Sequence, residues 1–134
     1  MYKIWNAQER NPFYNKLYYH YKYKIDVDLL NKEAQDFVGV HDFSSFCASG
    51  SSVEDMTREI YSFRVEKTGD EVLFYVSGNG FLYNMVRIMV GTLLDISSGK
   101  IEKGNIKKII DSKNRENAGF TVPAEGLYLN KVYY

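Results

Sequence analysis

The chain has 134 residues, 45% apolar and 25% charged, which suits one domain with its own core and excludes a disordered or fibrous protein. Seventeen basic residues cancel seventeen acidic ones, so a global positive charge of the kind that grips polyanions is absent, although a local patch remains open. A single cysteine, Cys47, excludes an intrachain disulfide, and Met1 leads into polar and aromatic residues without a signal peptide; a soluble cytoplasmic protein is expected.

Tyr2 to Trp5 has the composition of a strand, and a strand that opens at the first residue hints at a truncated chain. Asn11-Pro12 marks a turn. Between Met1 and Ile25, Lys3, Arg10, Lys16, Lys22 and Lys24 stand with His20 against Glu9 alone. Tyr14, Tyr18, Tyr19, Tyr21 and Tyr23 are interleaved with them. The segment is extended or loop-like. Its pattern suits nucleic-acid stacking and half-buried strands equally.

Asp26 is placed to cap a helix over about Val27 to Val38. Asp28 favours the positive end, Leu30, Ala34, Phe37 and Val38 share a face, and Gly39 ends it. His41 to Phe46, HDFSSF, reads as a compact knot with one helical turn. Ala48 to Asp55 reads as a small, polar loop. Thr57 to Lys67 alternates with Tyr61, Phe63 and Val65 on one face, and Val72, Phe74 and Val76 follow in step. Thr68-Gly69-Asp70 joins the two runs as a hairpin.

Gly80 to Leu94 carries one charge, Arg87, among apolar residues on nearly every helical face, and predicts a buried helix over about Phe81 to Ser97 that stops near Gly99. With Arg87 and Asn84 inside it, the stretch is too short and too interrupted to span a membrane. A shorter helix over about Lys103 to Ser112 turns Ile106, Ile109 and Ile110 inward. A last strand is expected over about Gly126 to Tyr133, alternating Leu127, Leu129 and Val132. The order β-α-β-β-α-β with one added helix predicts an α+β, ferredoxin-like (RRM-like) domain over residues 1–134, its antiparallel sheet packed against helices on one face. That fold hosts many functions, RNA recognition among them.

The candidate chemistry is sparse. His20, His41 and Cys47 lack metal-ligand spacing. Gly78-Asn79-Gly80 lies between strand and helix, but Tyr83 stands where a dinucleotide fingerprint needs its third glycine, so a tight turn is the better reading. His41 and Asp42 are adjacent and more suited to structure than to acid-base work. Arg87 is the strongest candidate, because a guanidinium in an apolar helix needs a partner. An ion pair with Asp42, Asp95 or Glu125 would fix packing; a role beside a catalytic carboxylate would use its planar, permanently charged fork. Thr121 to Leu129, TVPAEGLYL, frames an apolar strand with Pro123 and Gly126. It is either a well-fixed backbone at one sheet end or an ordinary loop.

GVHDFSSF, Thr57-Arg58-Glu59-Ile60, GNGFLYNMVRIMVGTLLDISSGK and NRENAGFTVPAEGLYLNKVYY, in order, resemble the C-terminal half of the tRNA pseudouridine synthase A family, and the opening YKIWN resembles the start of that half. The resemblance implies isomerisation of uridine to pseudouridine at positions 38 to 40 of the tRNA anticodon arm, without metal or organic cofactor. A catalytic Asp attacks the nucleotide, the glycosidic bond breaks, the uracil turns and a carbon–carbon bond forms. The base must first leave the stack. Arg87 matches the arginine that pairs with the Asp, and Leu127 the apolar residue of the catalytic pocket. Tyr2 matches the second tyrosine of a Tyr-x-Tyr pair. Arg58, His41, Asp42, Phe43 and Asn84 fall on motif positions assigned to site support or RNA contact. The family also implies tRNA as partner, a homodimer and no membrane association.

The sequence departs from the family in that nothing in it matches the GRTDAGVH-type motif that carries the catalytic Asp, and the first tyrosine of the Tyr-x-Tyr pair is expected just before Met1. The expectation is a fragment that is inactive alone. The alternative is a stand-alone ferredoxin-like module for RNA binding or dimerisation.

Overall fold

The structure, a computed structural model, describes residues 1–11, 17–48 and 54–128. Its centre is a hairpin of β4 (Thr57–Thr68) and β5 (Glu71–Gly78), turned tightly at Gly69 with φ +60°, where glycine has no Cβ to clash. β1 (Tyr2–Trp5) pairs antiparallel to β5, and β3 (Gly39–Asp42) antiparallel to β4. The two-residue β2 (Tyr19–His20) joins β1 in parallel. The sheet is therefore mixed, in the order β2-β1-β5-β4-β3. An isolated antiparallel bridge ties Tyr2 to Leu127, so chain from the far end of the sequence also reaches β1. This is an α+β domain with the ferredoxin-like arrangement expected.

One face of the sheet is covered. Tyr2, Ile4, Phe63, Val65, Val72 and Phe74 point into a core completed by α1 (Val27–Ala34), α2 (Met85–Ser98) and α3 (Ile106–Ser112). α1 starts where Asp26 accepts the Leu29 N–H at 3.1 Å, the cap read from the sequence. It ends earlier than expected, tightening into a 3-10 turn over Gln35–Phe37 before Gly39 begins β3. The three buried residues of that face, Leu30, Ala34 and Phe37, keep the predicted spacing. Buried Glu33 accepts the Gly104 N–H at 2.7 Å and fastens the α2–α3 connection.

Four expectations are corrected. The His41–Phe46 knot is half strand: Gly39–Asp42 lies along Thr57–Ile60, and only Ser44–Phe46 forms a 3-10 turn. Its strand state comes from pairing, since four residues carry no readable period. Tyr61 points outward, 56% exposed, because a bulge between Ile60 and Ser62 adds one residue opposite Gly78 and Ser77. Ile60 takes its place in the core. α2 begins at Met85 rather than Phe81, because Asn84 sits in the left-handed region at φ 60° and interrupts the helix there. It stops at Gly99, also left-handed, as read. The strand expected over Gly126–Tyr133 enters as a 3-10 turn, Ala124–Gly126, and the single bridge at Leu127; Leu129 and Val132 lie outside the described residues. Pro12 and Tyr14, and most of the Ala48–Asp55 loop, lie outside them too.

Candidate active site

α2 is apolar enough to be buried on nearly all sides, and it meets the 118–123 segment at contact distance. A Cβ on Gly91 would lie 1.8 Å from the Phe120 carbonyl oxygen, and one on Gly119 would lie 2.6 Å from the Thr92 Cα. Only glycine at these two positions lets backbone lie on backbone. Thr92 Oγ1 accepts the Gly119 N–H at 2.9 Å, inside the same contact. Pro123 and Gly126 are thus held against the sheet end where β1 and β4 begin and β5 stops.

Arg87 lies in the first turn of α2 and is half-buried. Its Nε–H donates to the Val122 carbonyl at 2.8 Å and its Nη1–H to Asn84 Oδ1 at 2.9 Å. A guanidinium has five N–H donors; the other three have no partner among the described residues. The helix backbone repeats the tie, since the Arg87 carbonyl accepts the Val122 N–H at 3.3 Å. No carboxylate oxygen comes within 4.0 Å of Arg87 among the described residues; the ion pair found there is exposed Arg64–Glu66, at 3.4 Å. The three acids offered as packing partners are elsewhere engaged or exposed. Asp42 accepts both the N–H and the hydroxyl of Ser44, which hold its carboxyl below the usual range. The Asp95 carboxyl is pushed up by burial and meets the Phe120 N–H. Glu125 is exposed.

Tyr2 closes the other side of this cluster. Its ring is wholly buried and its hydroxyl donates to the Pro123 carbonyl at 2.5 Å. Burial, more than any neighbour, raises the phenol's pKa, while the positive charge of Arg87 pulls it back. Leu127, half-buried, bridges to Tyr2 and packs on the core edge. Gly126 permits that approach: a Cβ there would lie 2.5 Å from the Lys3 carbonyl oxygen. Arg87, Asn84, Tyr2 and Leu127 therefore come together around the Val122–Pro123 backbone.

His41, Asp42 and Arg58 do not join them. They occupy the same end of the sheet but on β3 and the start of β4, three and two strand spacings from β1, or about 14 and 10 Å. His41 and Arg58 face one another in the β3–β4 register. Arg58 Nη1–H donates to the Asp55 and Thr57 carbonyls at 2.9 and 2.7 Å, and its side chain passes beneath Gly80. Phe43 is fully buried, its ring edge-on to those of His41 and Phe46. No group of three His, Cys, Asp or Glu side chains converges among the described residues. No helix among them is long and apolar enough to cross a membrane.

Sequence reading singled out Thr121–Leu129 for its fixed backbone without identifying the two carbonyls, of Val122 and Pro123, that do the anchoring. Carbonyls leave no mark in residue types. The proline and glycine that frame them were the available signal.

The 34–134 stretch matches the family model described as tRNA pseudouridine synthase. The tRNA pseudouridine synthase A of Staphylococcus aureus strain MRSA252 is 44% identical over 132 residues, 98% of this chain and 50% of that protein. The protein of the same name from strain JH1 is 44% identical, and that from strain Newman 43%; each alignment covers 98% of this chain and 49% of the relative. The chain thus spans about half the length of the curated relatives it matches.

Proposed function

Because this chain belongs to the tRNA pseudouridine synthase family, we propose that it serves isomerisation of uridine to pseudouridine at positions 38 to 40 of the tRNA anticodon arm, as one wall of the catalytic cleft. The observation that carries the reading is Arg87: a half-buried guanidinium anchored by two hydrogen bonds, with three N–H donors left and no carboxylate beside it among the described residues. A fork held this way is preorganised for a carboxylate, which it orients and keeps ionised. That carboxylate is the catalytic Asp, contributed from outside these 134 residues. It attacks the flipped nucleotide; the glycosidic bond breaks, the uracil turns, and a carbon–carbon bond forms. Leu127 lines the apolar side of the pocket, the buried Tyr2 backs it through its bond to the Pro123 carbonyl, and Asn84 holds Arg87 in place. Phe43 supports the sheet end from within the core, and His41, Asp42 and Arg58 support it or meet RNA beyond the pocket. The protein acts in the cytoplasm, as a homodimer, without metal or organic cofactor.

The test uses unmodified tRNA. The 134-residue chain alone yields no pseudouridine, while the full-length protein does. Arg87→Ala in the full-length protein lowers turnover by about a hundredfold or more and leaves tRNA affinity within about threefold, because its contact strengthens in the transition state rather than on binding. Product from the isolated chain sinks the proposal, as does an Arg87→Ala enzyme that is folded and fully active.

A further inference from the structure

Among the described residues, the basic and tyrosine-rich segment after β1 meets the cluster at Arg87 through Tyr19, which borders Tyr2. It folds back on β1 at the opposite end of that strand. From Tyr2 to Trp5 the strand advances about 10 Å, and the chain continues to Asn6, whose N–H bonds the Asp70 carbonyl at the hairpin turn. There Asn6 Nδ2–H donates to the Tyr21 and Tyr23 carbonyls, both at 2.8 Å, and Gln8 Nε2–H donates to the Lys22 carbonyl at 3.3 Å. His20 Nε2–H donates to the Ala7 carbonyl at 2.8 Å. These bonds lock the 6–8 and 20–23 segments side by side.

Between them lies a cleft of about 470 Å³ whose lining includes Gln8, Arg10, His20, Lys22 and Tyr23. No acidic side chain is among its described lining residues. The cations are exposed, and the Tyr23 ring, 61% exposed, is set edge-on against Tyr21 with centroids 5.5 Å apart. Lys22 Nζ lies 5.6 Å from the Tyr23 ring centre. In a chain of zero formal net charge this is a local concentration of positive charge beside an aromatic surface, on a hydrogen-bonded frame.

We infer that this cleft is a second RNA contact, remote from the pocket at Arg87, in which Arg10 and Lys22 take consecutive phosphates of the RNA backbone while Tyr23 stacks on a base or sugar. It rests on the proposed tRNA activity and adds to it a place where the substrate is held away from the reacting nucleotide. Cations that neutralise phosphates give affinity with a salt slope, and an aromatic ring adds affinity without one. The two contributions are separable.

The test measures binding of the full-length protein to a tRNA transcript between 50 and 250 mM salt. Arg10→Ala/Lys22→Ala weakens binding about tenfold at the low end and flattens the slope of log K against log salt by about 1 to 2. Lys22→Arg keeps both affinity and slope. Tyr23→Ala weakens binding about fivefold or more with the slope unchanged. All three side chains replaced are on the surface, and circular dichroism checks that each variant is folded. Unchanged affinity and slope in the double variant overturn the inference. So does Lys22-dependent binding of uridine monophosphate with no effect on tRNA, which assigns a mononucleotide pocket. If the double variant still makes pseudouridine and binds tRNA normally, this contact fails and the activity stands; if the wild-type protein neither binds nor modifies tRNA, the activity itself fails.

Discussion

Arg87 shows how a costly residue is accommodated. A charge in an apolar helix is held by a carbonyl and an amide, neutral partners that fix its direction without cancelling it. Asp95, two turns on, is the contrasting case. Burial pushes its carboxyl up from 3.8, so the folded state binds a proton more readily than the unfolded state does. The stability it contributes is therefore present below the ordinary carboxylate range and is lost as pH rises through the folded pKa. Asp95→Asn, which keeps an oxygen for the Phe120 N–H, should unfold at higher denaturant than wild type at pH 7 and match it at pH 3. Denaturant titration at the two values decides this; an equal or larger advantage at pH 3 contradicts it.

Within elements, the bulge in β4 decides which residues make the core. Ile60 is 1% exposed and Tyr61 is 56% exposed, although alternation from Phe63 and Val65 assigns Tyr61 inward. Ile60→Ala should cost about 2 to 4 kcal/mol, and Tyr61→Thr less than about 0.5 kcal/mol, by equilibrium unfolding; the reverse order restores the regular register. This marks where the sequence was legible. The α1 cap at Asp26, the hairpin turn at Gly69, the apolar α2 and its stop at Gly99 are decided by nearby residues, and each was readable. The bulge at Tyr61, β3, β2 and the left-handed Asn84 depend on what lies across the sheet or beneath the loop, and period alone carried no trace of them. The site was legible in part: Arg87 stood out as a burial problem and Pro123 and Gly126 as framing residues, while family resemblance, not spacing, tied Tyr2 and Leu127 to them.

At the scale of the molecule, charge and core have separate jobs. The described ion pair, Arg64–Glu66, is on the exposed sheet face, with side chains 57% and 51% accessible, where such pairs contribute little. The core is apolar, and every buried side-chain nitrogen or oxygen among the described residues has a partner. Raising sodium chloride from 50 to 500 mM should therefore move the melting temperature by no more than about 2 °C, while the proposed tRNA binding should fall steeply over the same range; a large salt-induced loss of melting temperature refutes the separation. The bridge between Tyr2 and Leu127 has a different consequence, in time rather than energy. Its partners are 125 residues apart, so the loop it closes is among the longest the chain offers, and such contacts form late. A ribosome releases Val122, Pro123 and Leu127 long after Tyr2 and well after Arg87. The hairpin and α1 are free to settle while the clamp on the guanidinium is still unmade. During synthesis the seat of Arg87 is thus made after the hairpin and α1, and a nascent chain halted before Val122 carries the arginine without it.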